Sequence, residues 1–190
     1  MVKSKTLCSI GLFFFVLSYV LFSQISLNAQ KHIDLAHWFN LIGAVLLFSF
    51  NDVFPKNRIN SVASVITSLG VIGHIGLCTI DFIMWSFGTE DIGRNLLREQ
   101  ISNTPSILYP FVIVGPSLLF LGLATHALKF IKTHPISSLM VIIGAPFIGL
   151  SYFIWNNGDL MLISCVVFAT GLALLLFRKE TKNIAQLNNA

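Results

Sequence analysis

Charge is scarce in this sequence: Asp, Glu, Lys and Arg make up 11% of its 190 residues, against 55% hydrophobic residues. A water-soluble domain carries about a quarter charged residues, so a chain this poor in them would have no way to cover its apolar surface in water. Signatures of common chemistry are missing as well. There is no H-E-x-x-H, and no two histidines are three or four residues apart within one apolar segment. Gly115-Pro116-Ser117-Leu118-Leu119 lacks the closing glycine of a nucleophile elbow, and neither a Walker loop nor G-x-G-x-x-G occurs. The sequence therefore assigns no catalytic residue, no metal ligands and no cofactor.

The three cysteines, Cys8, Cys78 and Cys165, lie far apart inside apolar runs and read as small packing residues. The net charge of +4 comes from short basic clusters between apolar runs, the pattern of membrane topology rather than of nucleic-acid binding.

Mean hydropathy is strongly positive, at +0.80. Six stretches approach the roughly 20 apolar residues needed to cross a bilayer: 6–27, 34–52, 61–86, 107–131, 136–155 and 158–177. The expected fold class is all-α, a polytopic membrane helical bundle forming one transmembrane domain, with residues 178–190 as a short cytoplasmic tail. Lys3 and Lys5 before the first segment, with Leu27-Asn28-Ala29 after it, offer a signal-peptide alternative. The long apolar run and Leu27 at position −3 favour a retained helix. Asn156-Asn157-Gly158-Asp159 predicts a tight turn joining the last two segments, and Gly144-Ala145-Pro146 a kink in the fifth.

Two signals set the expected orientation, both termini inside. It places Lys3, Lys5, Lys56, Arg58, Lys129, Lys132, Arg178, Lys179 and Lys182 inside, against Lys31, Arg94 and Arg98 outside. It also brings Trp38, Trp85 and Trp155 to the outer membrane interface as anchors. Residues 87–106 then form the one sizeable outer loop. Ile92, Leu96, Leu97 and Ile101 recur there at near-helical spacing, which predicts a short helix on the outer surface between helices 3 and 4. A disordered polar loop is the alternative.

The third segment carries the clearest pattern. Ala63, Thr67, Gly70, His74, Cys78, Asp81 and Trp85 fall on one stripe less than about 90° wide, with Val65, Leu69, Ile72 and Ile83 opposite. Small and polar residues on one side and branched aliphatics on the other place this helix at the bundle's centre. Counting about 1.5 Å per residue inward from the expected span ends puts Asp81 at a depth similar to His37, Asn40 and Gln24, and His74 alone near the midplane. The same mismatch of His37 and His74 argues against a bis-histidine haem.

The candidate site is an outer-half polar cluster of Gln24, His37, Asn40, His74 and Asp81, binding or transporting a small or lipid-like molecule between helices 2 and 3. A narrower version couples protons through His74. The competing reading makes His37 and Asp81 a structural pair and the chain a non-catalytic scaffold or accessory subunit, with the stripe as a packing surface. An intramembrane metal-dependent hydrolase or transferase comes third. Expected partners are the lipid bilayer, a lipid or small-molecule ligand, and a membrane-protein partner or a second copy of the chain. Small size and sparse loops suggest a bacterial inner membrane.

Overall fold

In the computed structural model of the chain, which describes residues 2–23 and 30–178, helices account for nearly all of the described backbone. Gln24, the tail from residue 179 onward, and with it Lys179 and Lys182, lie outside the described residues. The order is α1 (Val2–Ser23), α2 (Gln30–Leu47), α3 (Phe50–Val53), α4 (Arg58–Ser86) and α5 (Asp91–Ser102). It continues with α6 (Pro105–Ile107), a π-helical turn (Leu108–Ile113), α7 (Val114–Leu128), α8 (Pro135–Phe153) and α9 (Gly158–Leu176).

Among the described residues five helices are long and apolar enough to cross a membrane: α1, α4, the run Pro105–Leu128, α8 and α9. The second helix, α2, is not among them. Its 18 residues reach about 27 Å, but they include Gln30, Lys31, His32, Asp34, His37 and Asn40. Large apolar side chains cover the outside of the bundle; on α4, Val62, Val65, Leu69 and Ile72 are each more than half exposed. Soluble monomers do not expose continuous apolar surface on this scale, so the solvent of these faces is lipid.

The chain runs up and down, each long helix antiparallel to the next, and the long helices close into a ring in chain order, α9 returning to α1. Three pairs pack most closely: α1 with α2, α4 with α7, and α8 with α9. The α4–α7 contact depends on glycine. A Cβ on Gly70 would run into the Leu119 backbone, one on Gly73 into Gly115, and one on Gly122 into Thr67. Bare glycines let the two backbones approach far closer than side chains permit, the usual means of joining helices where no hydrophobic effect drives them together.

Aromatic rings fill the middle of the ring. Phe120 on α7 sits 5.8 Å from Phe15 on α1 and 5.5 Å from Phe168 on α9, centroid to centroid. The up-and-down topology gathers Lys3, Lys5, Lys56, Arg58, Lys129, Lys132 and Arg178 at one end, called here the basic end. There Arg178 lies 4.2 Å over the Phe130 ring. The opposite end carries Trp38, Trp85 and Trp155; Trp38 and Trp155 are about half exposed and Trp85 is half-buried.

Two expectations, both on the second segment, need correction. The second segment does not run unbroken to residue 52: α2 stops at Leu47, where Phe48 and Ser49 donate to carbonyls three residues back and α3 starts a new turn. Such tightened bonds end a helix without proline. It also begins at Gln30, four residues before the expected start. A departure from α hydrogen bonding falls at Leu108–Ile113, around Pro110; Pro146 lies inside α8. Pro110 has no N–H, so its turn must rebond, and the wider π turn does this while placing the Pro110 carbonyl against Gly115 and Gly73. The turn between α8 and α9 is tight: Asn156 adopts φ 45°, and the Asn157 side chain caps α9 by accepting from Leu160 N at 2.9 Å.

Candidate functional site

The α4 stripe is buried from Ala63 through Thr67, Gly70 and His74 to Cys78, with Val65, Leu69, Ile72 and Ile83 exposed on the far side. Most of its small residues are occupied by α7. Its polar residues toward the tryptophan end instead meet α2. His37 Nε2 lies 3.4 Å from Asp81 Oδ2, and His74 Nε2 lies 3.1 Å from Asn40 Oδ1. Four of the five candidate residues thus form two bridges between one pair of helices, and the fifth, Gln24, is outside the described residues.

His74 is therefore not alone at its depth. Counted from the observed helix ends, Asn40 lies ten residues into α2 and His74 twelve residues into α4, about 15 and 18 Å. The earlier start of α2 lowers its polar residues by about 6 Å relative to the expected ladder. His37 and Asp81, close in depth on the expected ladder, stay within about 3 Å of each other.

The two bridges differ in access. Asn40 and His74 are 7% and 2% exposed, with the Phe15 ring 6.0 Å from the imidazole. The side chain of His37 is 12% exposed and that of Asp81 35%, so one carboxylate within an apolar helix stays open to its surroundings. Around His37 stand Phe22 at 5.0 Å and Phe82 at 5.8 Å, and Trp38 packs on Phe82 at 5.0 Å. An open carboxylate beside an imidazole can bind a hydrogen-bond donor or a cation.

No protein-family model, curated protein or solved structure matches the chain. The functional reading therefore rests on geometry.

A third polar bridge went unnoticed in the sequence. His126 on α7, 0% exposed, meets Asn51 Oδ1 of α3 through Nε2 at 3.0 Å. Asn51 lies in α3, the turn that starts after the break at Phe48-Ser49. Asn60, 3% exposed, also escaped notice because the third segment was expected to start at residue 61; its amide donates to Pro55 O at 2.6 Å. Among the described residues no group of three His, Cys, Asp or Glu side chains could hold a metal ion.

Some buried polar atoms lack partners: His37 Nδ1, Asn60 Oδ1, Thr67 Oγ1, His74 Nδ1, His126 Nδ1 and Ser138 Oγ. An unpartnered polar group in a protein interior costs about 1–3 kcal/mol. Native interiors commonly avoid this cost with ordered water.

Proposed function

We propose that the chain is a multi-pass membrane protein that binds, and moves, a small or lipid-like molecule at the Asp81 site between α2 and α4. The observation that carries this reading is a carboxylate one-third exposed within an otherwise apolar helix, 3.4 Å from an imidazole that is itself flanked by Phe22 and Phe82, with Trp38 packed on Phe82. Ionisable groups are expensive in a membrane and mark binding or transport pathways. In this reading α2 is the sixth span, with His37 and Asn40 tolerated because they pair with α4. Both termini face the cytoplasm of a bacterial inner membrane, the tryptophan end faces outward, and α5 lies on the outer surface. The gathering of basic side chains at the opposite end supports that orientation.

The scaffold alternative is weakened by one observation. The small-residue stripe that would offer a docking surface is already packed against α7 of the same chain. Native mass spectrometry of the mildly solubilised protein tests the reading: a bound small molecule or lipid is expected on the parent and lost from Asp81→Asn and His37→Ala. If both variants keep the stability and every bound species of the parent, the site binds nothing.

A further inference from the structure

Five of the six unpartnered buried atoms found among the described residues lie along one seam, where α4 meets α2 and α7. On α4 the polar residues Asn60, Thr67, His74 and Asp81 recur every seven residues, keeping them on one face at steps of about 10.5 Å. Neighbouring helices add groups beside this ladder. His37 stands beside Asp81 and Asn40 beside His74. Gly122 abuts Thr67, so His126, one turn further along antiparallel α7, falls between the levels of Thr67 and Asn60.

The three histidines share one chemical arrangement. Nε2 of His74 and of His126 meets an oxygen that accepts, from Asn40 and Asn51, and Nε2 of His37 lies 3.4 Å from the Asp81 carboxylate. That assigns the ring hydrogen of each neutral imidazole to Nε2 and leaves a bare lone pair on Nδ1, buried and without a donor. Asn60 Oδ1 is likewise a bare acceptor. Four acceptors spaced along one seam call for water or for a proton.

We propose that this seam is a hydrated proton path between the two ends of the bundle, with the Nδ1 atoms of His37, His74 and His126 as its proton-carrying sites. A water-borne proton adds to the Nδ1 lone pair, giving an imidazolium still anchored through Nε2–H, and leaves from Nδ1 to the next water. No other bond forms or breaks. Asp81 faces the first ring. Around His74 stand Asn40 and Phe15, with the Cys78 thiol one turn along its own helix. Asn51 and Phe54 pack on His126, Asp52 is next in the chain, and Arg178 lies over Phe54. Between Thr67 and His74, Gly70 packs against the α7 backbone at Leu118–Leu119.

The path does not depend on the ligand reading, and its test needs no ligand. The full chain is reconstituted into liposomes loaded with a pH-sensitive dye, and a valinomycin-clamped potassium gradient drives protons inward. The parent is expected to acidify the lumen faster than protein-free liposomes. His74→Gln, which keeps a partner for Asn40, and His126→Gln are expected to fall to the protein-free rate. Ser138→Ala, which removes an unpartnered hydroxyl on α8 away from the seam, should conduct like the parent. His126→Gln should also keep any species bound at the Asp81 site, so loss of flux and loss of ligand are read separately. For a variant that fails to fold, water-to-histidine magnetisation transfer in 15N solid-state NMR of the parent reads hydration at the three Nδ1 atoms directly. A parent rate equal to that of protein-free liposomes, parental flux in His74→Gln, or dry Nδ1 atoms would overturn the proposal.

Discussion

Asn40 and His74 hold α2 to α4 by one hydrogen bond in a place where neither side chain reaches bulk water. Replacing Asn40 by Leu strands the imidazole N–H, and a loss of about 1–3 kcal/mol is expected, read as a lower thermal midpoint in detergent. The double variant Asn40→Leu/His74→Leu should be less damaged than the two single losses summed, because removing both partners leaves nothing unsatisfied. Strict additivity would mean that the bond does not form. At this scale the sequence was legible where spacing alone decides: Thr67, His74 and Asp81 share a face for any helix through them. It was not legible where pairing depends on the neighbour's start. Four residues at the head of α2 separate a lone His74 from a paired one, and hydropathy does not resolve so small a shift.

Helices meet here in two ways. Between α4 and α7 the contact is backbone against backbone, so Gly70→Val should cost about 1–3 kcal/mol or more through overpacking, measured by the same thermal assay. Gly149 on α8 has open space where a Cβ would sit, and Gly149→Ala should be neutral or slightly stabilising by about 0.5–1 kcal/mol. If Gly70→Val melted like the parent, the close crossing would be wrong. The long apolar helices were readable from hydropathy, because about 20 apolar residues in a row leave little else to build. Their interruptions were not. The turn at Phe48-Ser49 contains neither proline nor glycine, and of the three prolines inside the expected spans the sequence does not say which the surrounding helices will rebond. Pro110 changes the hydrogen-bond register of its helix, and Pro146 does not.

The whole chain presents two unlike ends, and its proposed orientation follows from them. Cys8, Cys78 and Cys165 are buried, so single cysteines introduced at exposed sites report topology without interference. With a membrane-impermeant maleimide, Asn95→Cys on α5 is expected to label in intact cells and Lys132→Cys only after permeabilisation. The opposite pattern would reverse the orientation. Helices that neighbour in sequence also neighbour in space, and the circle is completed only when α9 reaches α1. A chain leaving the ribosome can therefore make the Asn40–His74 and Asn51–His126 bonds as soon as α7 is in place, before α8 and α9 exist. Until then Phe15 and Phe120 have no Phe168 to meet, and the interior opens sideways to lipid. The last hairpin acts as a clasp: it contributes little to the polar seam and decides whether that seam is sealed from the bilayer.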